Sequence, residues 1–212
     1  MEKCEGSLNE HTKFQEGLAL FRKVLEAHPK SRANQFYQRL KTSKNMENIT
    51  FRTSTALGDG VEGLTQMYVL IGGQKDVDMD ELKFDGVTKT TPRTLRITHA
   101  EVFPNKYPPA KMTATLLHEF MVHGVPFQTL FDSINTATTA EEMAAFWRKS
   151  RQTDNSGYTQ HSLYGAGKTE GLDEVVQALK NSKTTGISKN DAAAILDELE
   201  KDIAFHKKSY PL

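Results

Sequence analysis

Residues 115–124 read Thr115-Leu-Leu-His118-Glu119-Phe-Met-Val-His123-Gly124, an apolar run that carries two histidines and a glutamate. The run predicts a helix from Ala110 to His123, with Gly124 as its C-cap. Burying three ionisable groups without partners costs several kcal/mol. A metal ion is the usual way to offset that cost, because neutral imidazoles bind Zn²⁺ and a neighbouring carboxylate can reach the metal-bound water.

The two histidines are five positions apart, a spacing that a regular α-helix does not align. At 3.6 residues per turn, side chains four positions apart differ by about 40° around the helix, and side chains five positions apart differ by about 140°. A single-turn π-bulge between His118 and His123 would realign both rings, and such bulges are common at functional sites. The alternative is a pair of ordinary histidines near a helix C-terminus, where the helix dipole favours them.

The motif His118-Glu119-x-x-x-His123 resembles the H-E-x-x-H motif of the zincin metallopeptidases, with one residue inserted. The inserted form is similar to that of the dipeptidyl peptidase III family. Together with Val125-Pro126-Phe127, it also resembles metallopeptidase-like domains of bacterial toxins. The resemblance implies that His118 and His123 bind Zn²⁺ and that Glu119 is the catalytic general base.

A catalytic zinc site needs a third protein ligand and keeps its fourth position open. One zincin branch takes that ligand from an Asp-x-x-Tyr-Gly sequence in a loop after the helix. In the polar segment 153–168, which we predict to be a loop, His161 stands in the place of that aspartate, ahead of Tyr164-Gly165. The glutamate branch implies Glu174 instead, on a downstream helix. Tyr164, or Tyr158 as an alternative, is the predicted second catalytic residue, because a tyrosine can stabilise the oxyanion formed when water adds to a carbonyl.

The segments on either side of the motif predict the rest of the fold. Residues 1–45 predict a helical hairpin, with Phe14, Leu18 and Phe21 on one face of its first helix and Ser31 capping its second. Short alternating runs at 49–53, 66–71 and 94–98 predict strands. Ser188 caps a last helix. We therefore predict an α+β, zincin-like fold, in which a small mixed or antiparallel sheet packs on the active-site helix and helices lie at the N- and C-terminal ends. The hairpin at 1–45 precedes a metallopeptidase domain at 46–212.

Composition restricts the classes of partner. Lys plus Arg and Asp plus Glu both number 27, so the formal net charge is zero, which argues against a nucleic-acid protein or a polybasic membrane anchor. The single cysteine, Cys4, excludes an intrachain disulfide. The polar N-terminus lacks the apolar core of a secretory signal peptide. We expect a cytoplasmic protein, or an effector secreted without a cleaved signal by a dedicated secretion machinery.

The predicted function is zinc-dependent hydrolysis of a peptide or protein substrate. By resemblance to the zincins, the substrate would add as an extended strand to the stretch Thr94–Phe103. One alternative is a non-catalytic helical interaction protein. A second is a nucleotide-binding protein that uses the G-x-G-x-x-G sequence at 58–63, although a β-leaning run follows it where the nucleotide motif needs a helix.

Overall fold

A computed structural model describes residues 2–5, 11–43, 47–52, 63–72, 86–99, 107–153 and 157–212. Helices hold most of these residues. They are α1 (Thr12–Glu26), α2 (Arg32–Thr42), α3 (Pro109–His118), the π-turn (Glu119–Gly124), α4 (Val125–Thr136), α5 (Ala140–Thr153), α6 (Gly157–Gly165), α7 (Leu172–Lys180), α8 (Ser182–Thr185) and α9 (Lys189–Ser209). The strands are β1 (Glu2–Glu5), β2 (Glu47–Arg52), β3 (Thr65–Ile71) and β4 (Arg93–His99).

The prediction of an α+β fold with a sheet packed on the motif helix is wrong, because the chain is mostly helical. The main packing partners of α3 are the helices α1 and α9, and the strands meet the motif mainly at the π-turn. Gly17 of α1 allows this close packing, since a Cβ there would lie 2.8 Å from the Cβ of Met112 in α3. The alternating runs do form strands, but amphipathic helices, and not the sheet, pack against α3.

The strands are short and pair in the order β1-β2-β4-β3. β1 and β4 both run parallel to β2, and β3 runs antiparallel to β4 with Thr65 opposite His99. β4 is thus hydrogen-bonded on both sides. The expectation that the Thr94–Phe103 stretch pairs with a substrate is wrong for its described part, since neither edge of β4 is free. Residues 100–103 lie outside the described residues.

The N-terminal helices form as their sequence predicts. α1 buries Phe14, Leu18 and Phe21, and the side chain of Ser31 accepts a hydrogen bond from the Asn34 backbone N–H at the start of α2. Phe21 lies at the centre of an aromatic cluster that also contains Phe36, Tyr37, Phe51 and Phe120. The proposed domain boundary at residue 45 stays a prediction.

Two local predictions around the motif are wrong. Gly124 does not end the helix, because the chain continues directly into α4. Pro126 lies in the first turn of α4, directly after the π-turn. The segment predicted as a loop contains α6.

Within the described residues, no helix has the length and apolar content required to cross a membrane.

Candidate metal and catalytic site

The π-turn brings the two motif histidines to the same side of the helix. The Val125 backbone N–H donates to the carbonyl oxygen of Phe120, five residues earlier, which is the hydrogen bond that defines a π-helix. The ring centroids of His118 and His123 are 5.3 Å apart. The π-bulge predicted from the five-residue spacing is therefore confirmed.

Two further histidines, from helices distant in the sequence, join this pair. His161 of α6 lies with its ring centroid 4.8 Å from that of His123 and 4.6 Å from that of His206 in α9. The Nε2 atoms of His123 and His161 are 3.1 Å apart. Possible ligand atoms form two groups, each lying within 4.8 Å: His118 with Glu119 and His123, and His118 with His161 and His206.

Hydrogen bonds orient three of these imidazoles through the same ring atom. His118 Nδ1 donates to Asp202 Oδ2 at 2.8 Å, and His123 Nδ1 donates to Gln160 Oε1 at 2.7 Å. His206 Nδ1 donates to the backbone carbonyl oxygen of Asp202 at 2.9 Å. A neutral imidazole that donates from Nδ1 presents a lone pair at Nε2. This arrangement is common around metal-binding histidines, whose second nitrogen is usually hydrogen-bonded.

The electrostatic environment favours the neutral form of two of the rings. Burial lowers the pKa of His123. Burial and the neighbouring His123 lower the pKa of His161 to about 3. Burial opposes ionisation of Asp202, but the hydrogen bonds from His118 and His206 outweigh it and hold the pKa of the carboxyl well below its usual range. Burial opposes protonation of His206, but its hydrogen bonds to Asp202 outweigh burial and raise its pKa. The site therefore combines two imidazoles that favour the neutral form, His123 and His161, with an ionised supporting carboxylate.

Glu119 is buried, with 5% of its surface exposed, yet it borders an open cleft of about 700 Å³. The Thr65 hydroxyl donates to Glu119 Oε2 at 2.6 Å. Gly63 lies so close to the carboxylate that a Cβ at this position would be 2.8 Å from Oε1. The cleft also exposes His118, His123 and the two other site histidines. Glu119 is consequently held in a fixed orientation beside the imidazoles.

Tyr164 lies in the site but behind His118. Only 1% of its surface is exposed, and its hydroxyl donates to Asp202 Oδ2 at 3.0 Å. Burial and the nearby Asp202 raise its pKa. The hydroxyl thus supports the carboxylate that orients His118, and its predicted contact with an oxyanion has no support from its position. Tyr158 is exposed and donates to the carbonyl oxygen of Pro211.

The structure brings together His118, Glu119, His123 and His161, but not Glu174. Glu174 lies on the exposed side of α7 and belongs to neither group of possible ligands found among the described residues. Sequence reasoning missed Asp202 and His206. Their spacing of four within one helix places both on the same face, a signal that could have singled them out.

The donor set fits zinc. Imidazole nitrogens are standard zinc ligands, and the lone pair of His123 Nε2 faces His161 Nε2. The alternative of nucleotide binding by the glycine-rich sequence at 58–63 stays a prediction, because residues 58–62 lie outside the described residues. Its last residue, Gly63, packs on Glu119. Comparisons with known protein families, with curated proteins and with solved structures found no match.

Proposed function

We propose that this protein is a zinc-dependent hydrolase of peptide bonds, with His118, His123 and His161 as metal ligands. The observation that carries the proposal is the 3.1 Å approach of His123 Nε2 to His161 Nε2 beside the buried Glu119. Two nitrogen ligands of a tetrahedral zinc ion, each at 2.0–2.1 Å from it, lie about 3.3 Å apart. The separation of these two imidazole nitrogens therefore suits a shared cation.

A bound zinc ion would supply a polarised water that ionises near neutral pH. Glu119 would act as the general base, because its carboxylate lies in the same cleft and Thr65 holds one of its oxygens. It would take the proton of the attacking water and return it to the departing amine, so the peptide bond breaks with the net addition of one water molecule.

A peptide substrate is favoured by the strand next to Glu119. Among the described strands, β3 is an outer one in the order β1-β2-β4-β3, and Thr65 at its start contacts the general base. An extended peptide can add to such an edge through backbone hydrogen bonds. This would bring a scissile peptide group to the cleft that Leu64 and Thr65 border.

The first test is the metal content of the purified protein. We expect about one zinc per chain, and we expect it to be lost in His118→Ala and in His123→Ala, since each variant removes one ligand. His11→Ala is the matched control, because His11 belongs to neither ligand group. A metal-free wild type whose melting is unchanged by the first two substitutions would favour the non-catalytic interaction protein.

The second test separates the base from the ligands. Glu119→Gln should keep zinc but lose about 10²–10⁴-fold of its turnover of quenched fluorescent peptides, because the amide cannot accept the proton. Glu200→Gln, an exposed glutamate of α9, should match the wild type. Full turnover in Glu119→Gln would contradict the assigned role.

The third test concerns the third ligand. His161→Ala should lower zinc affinity, whereas Glu174→Ala should leave it unchanged, because only His161 lies next to His123. Isothermal titration of the metal-free proteins with Zn²⁺ measures both affinities. The opposite result would assign the third position to Glu174.

A further inference from the structure

His206, near the end of α9, is a fourth imidazole of the cluster. Its ring centroid lies 4.8 Å from that of His118 and 4.6 Å from that of His161, and 8% of its surface is exposed. One of the two groups of possible ligand atoms contains His206 with these two histidines. The ligand set of the proposed function leaves it out.

The surroundings of His206 orient its Nε2 in the way expected of a metal ligand. Its Nδ1–H donates a hydrogen bond to the Asp202 backbone carbonyl, which leaves the Nε2 lone pair available to bind a metal ion. The Tyr210 ring stacks on it at an interplanar angle of 15°. Gly165 permits the close packing that brings α6 to this point, since a Cβ there would lie 2.6 Å from the carbonyl carbon of His206.

The two ligand groups share His118, and this residue can serve only one ion. Its Nδ1 is engaged by Asp202, so Nε2 is the one nitrogen left for a metal. An imidazole nitrogen has a single lone pair and cannot bridge two cations. The two groups therefore cannot each hold an ion at the same time. They are linked by the 3.1 Å approach of His123 Nε2 to His161 Nε2, which favours a single metal centre that draws on both groups.

We infer that His206 is an additional ligand of the metal in the proposed function, and that metal binding ties the end of α9 to α6 and the π-turn. Four imidazoles would occupy every position of a tetrahedral zinc ion, so the water needed for hydrolysis would require a fifth position or the release of His206. The inference rests on the proposed metal site but not on hydrolysis.

The test compares metal-free, full-length wild type with His206→Ala and with Lys208→Ala, an exposed neighbour in α9. Titration with Zn²⁺ should give an affinity about 100-fold lower for His206→Ala, because even the loss of a supporting group costs 10–100-fold. The visible spectrum of the Co²⁺-loaded protein should change in His206→Ala only. Wild-type affinity and an unchanged Co²⁺ spectrum in this variant would overturn the inference.

Hydrogen exchange provides a second readout that does not depend on affinity. Zn²⁺ should slow exchange of the backbone amides at the end of α9 in the wild type and in Lys208→Ala, but not in His206→Gln. The glutamine variant keeps a polar side chain, so it serves as the test protein if His206→Ala does not fold. Equal protection in all three proteins would contradict the inference.

A wild type that binds Zn²⁺ and cleaves peptides while His206→Ala binds equally well removes this inference alone. A wild type that binds no Zn²⁺ removes the proposed function as well.

Discussion

The two sides of the π-turn differ sharply in chemistry. Phe120 points into the aromatic core, with its ring stacked on Phe36 at an interplanar angle of 20° and in edge contact with Phe21. His118 and His123 point the other way, into the cluster of imidazoles. One wide helical turn therefore joins a fully buried aromatic cluster to a cluster of imidazoles and carboxylates.

The two sides of the π-turn have different roles: the aromatic side contributes to folding stability, and the polar side carries the ionisable groups. The aromatic side buries its rings fully, and that burial favours folding. On the other side, buried imidazoles and a carboxylate need hydrogen-bond partners to offset their desolvation. An irregular turn that serves only packing has no need of such groups. The aromatic side thus acts as the anchor that lets the polar side keep an arrangement suited to a metal.

The largest effect should come from breaking the anchor. Phe21→Ala removes a ring that contacts Tyr37, Phe51 and Phe120, and should lower the free energy of unfolding by about 3–5 kcal/mol. Urea denaturation of the metal-free protein measures the change. Zinc affinity of the folded variant should stay close to that of the wild type, because Phe21 contacts none of the ligands. Lys23→Ala, exposed on the same helix, is the control, and a large loss of affinity in Phe21→Ala would show that the two sides are not separable.

The second prediction concerns a substitution on the polar side of the π-turn. Asp202→Asn weakens the acceptor that orients His118 and should reduce zinc affinity by about 10–100-fold, with a much smaller effect on unfolding than Phe21→Ala. Titration with Zn²⁺ and urea denaturation measure the two quantities on one sample. Asp197→Asn, exposed on the same helix, should change neither. If Asp202→Asn unfolds the protein but binds zinc normally when folded, the carboxylate has a structural role only.

The sequence was most informative where local geometry alone decides. The apolar spacing of Phe14, Leu18 and Phe21 predicts α1, and Ser188 caps α9 as predicted, accepting the Asp191 backbone N–H. The spacing of the motif histidines predicted a π-turn if both rings serve one site, because no regular helix aligns them, and the π-turn is present. The fold class failed because periodicity identifies an element but not the element it packs against. Here α1 and α9, from opposite ends of the chain, enclose α3.

Prediction of the candidate site was limited in the same way, because local patterns do not reveal which helices pack together. His118 and Glu119 share one short motif, whereas Asp202 is 84 positions away from His118 in the sequence. Its hydrogen bond to His118 depends on how α9 packs, which no local pattern encodes. α6 was missed because its segment is rich in glycine and polar residues, a composition typical of loops. Of the residues that reach the motif from other helices, His161 was found through its position ahead of Tyr164-Gly165, whereas Asp202 and His206 had no such local signal in the motif.

The smallest expected effect tests whether the polar side positions its base as well as its ligands. Thr65→Val keeps the shape of the side chain but removes the hydroxyl that donates to Glu119 Oε2. We expect peptide turnover to fall about tenfold, consistent with the loss of one hydrogen bond to a charged group. Zinc affinity should stay close to that of the wild type, because the hydroxyl of Thr65 donates to the base. Thr65→Ser restores the donor and should recover most of the activity, which a purely steric role of the methyl group would not allow. Equal turnover in the valine and serine variants would mean that Glu119 is held by the close packing of Gly63 alone.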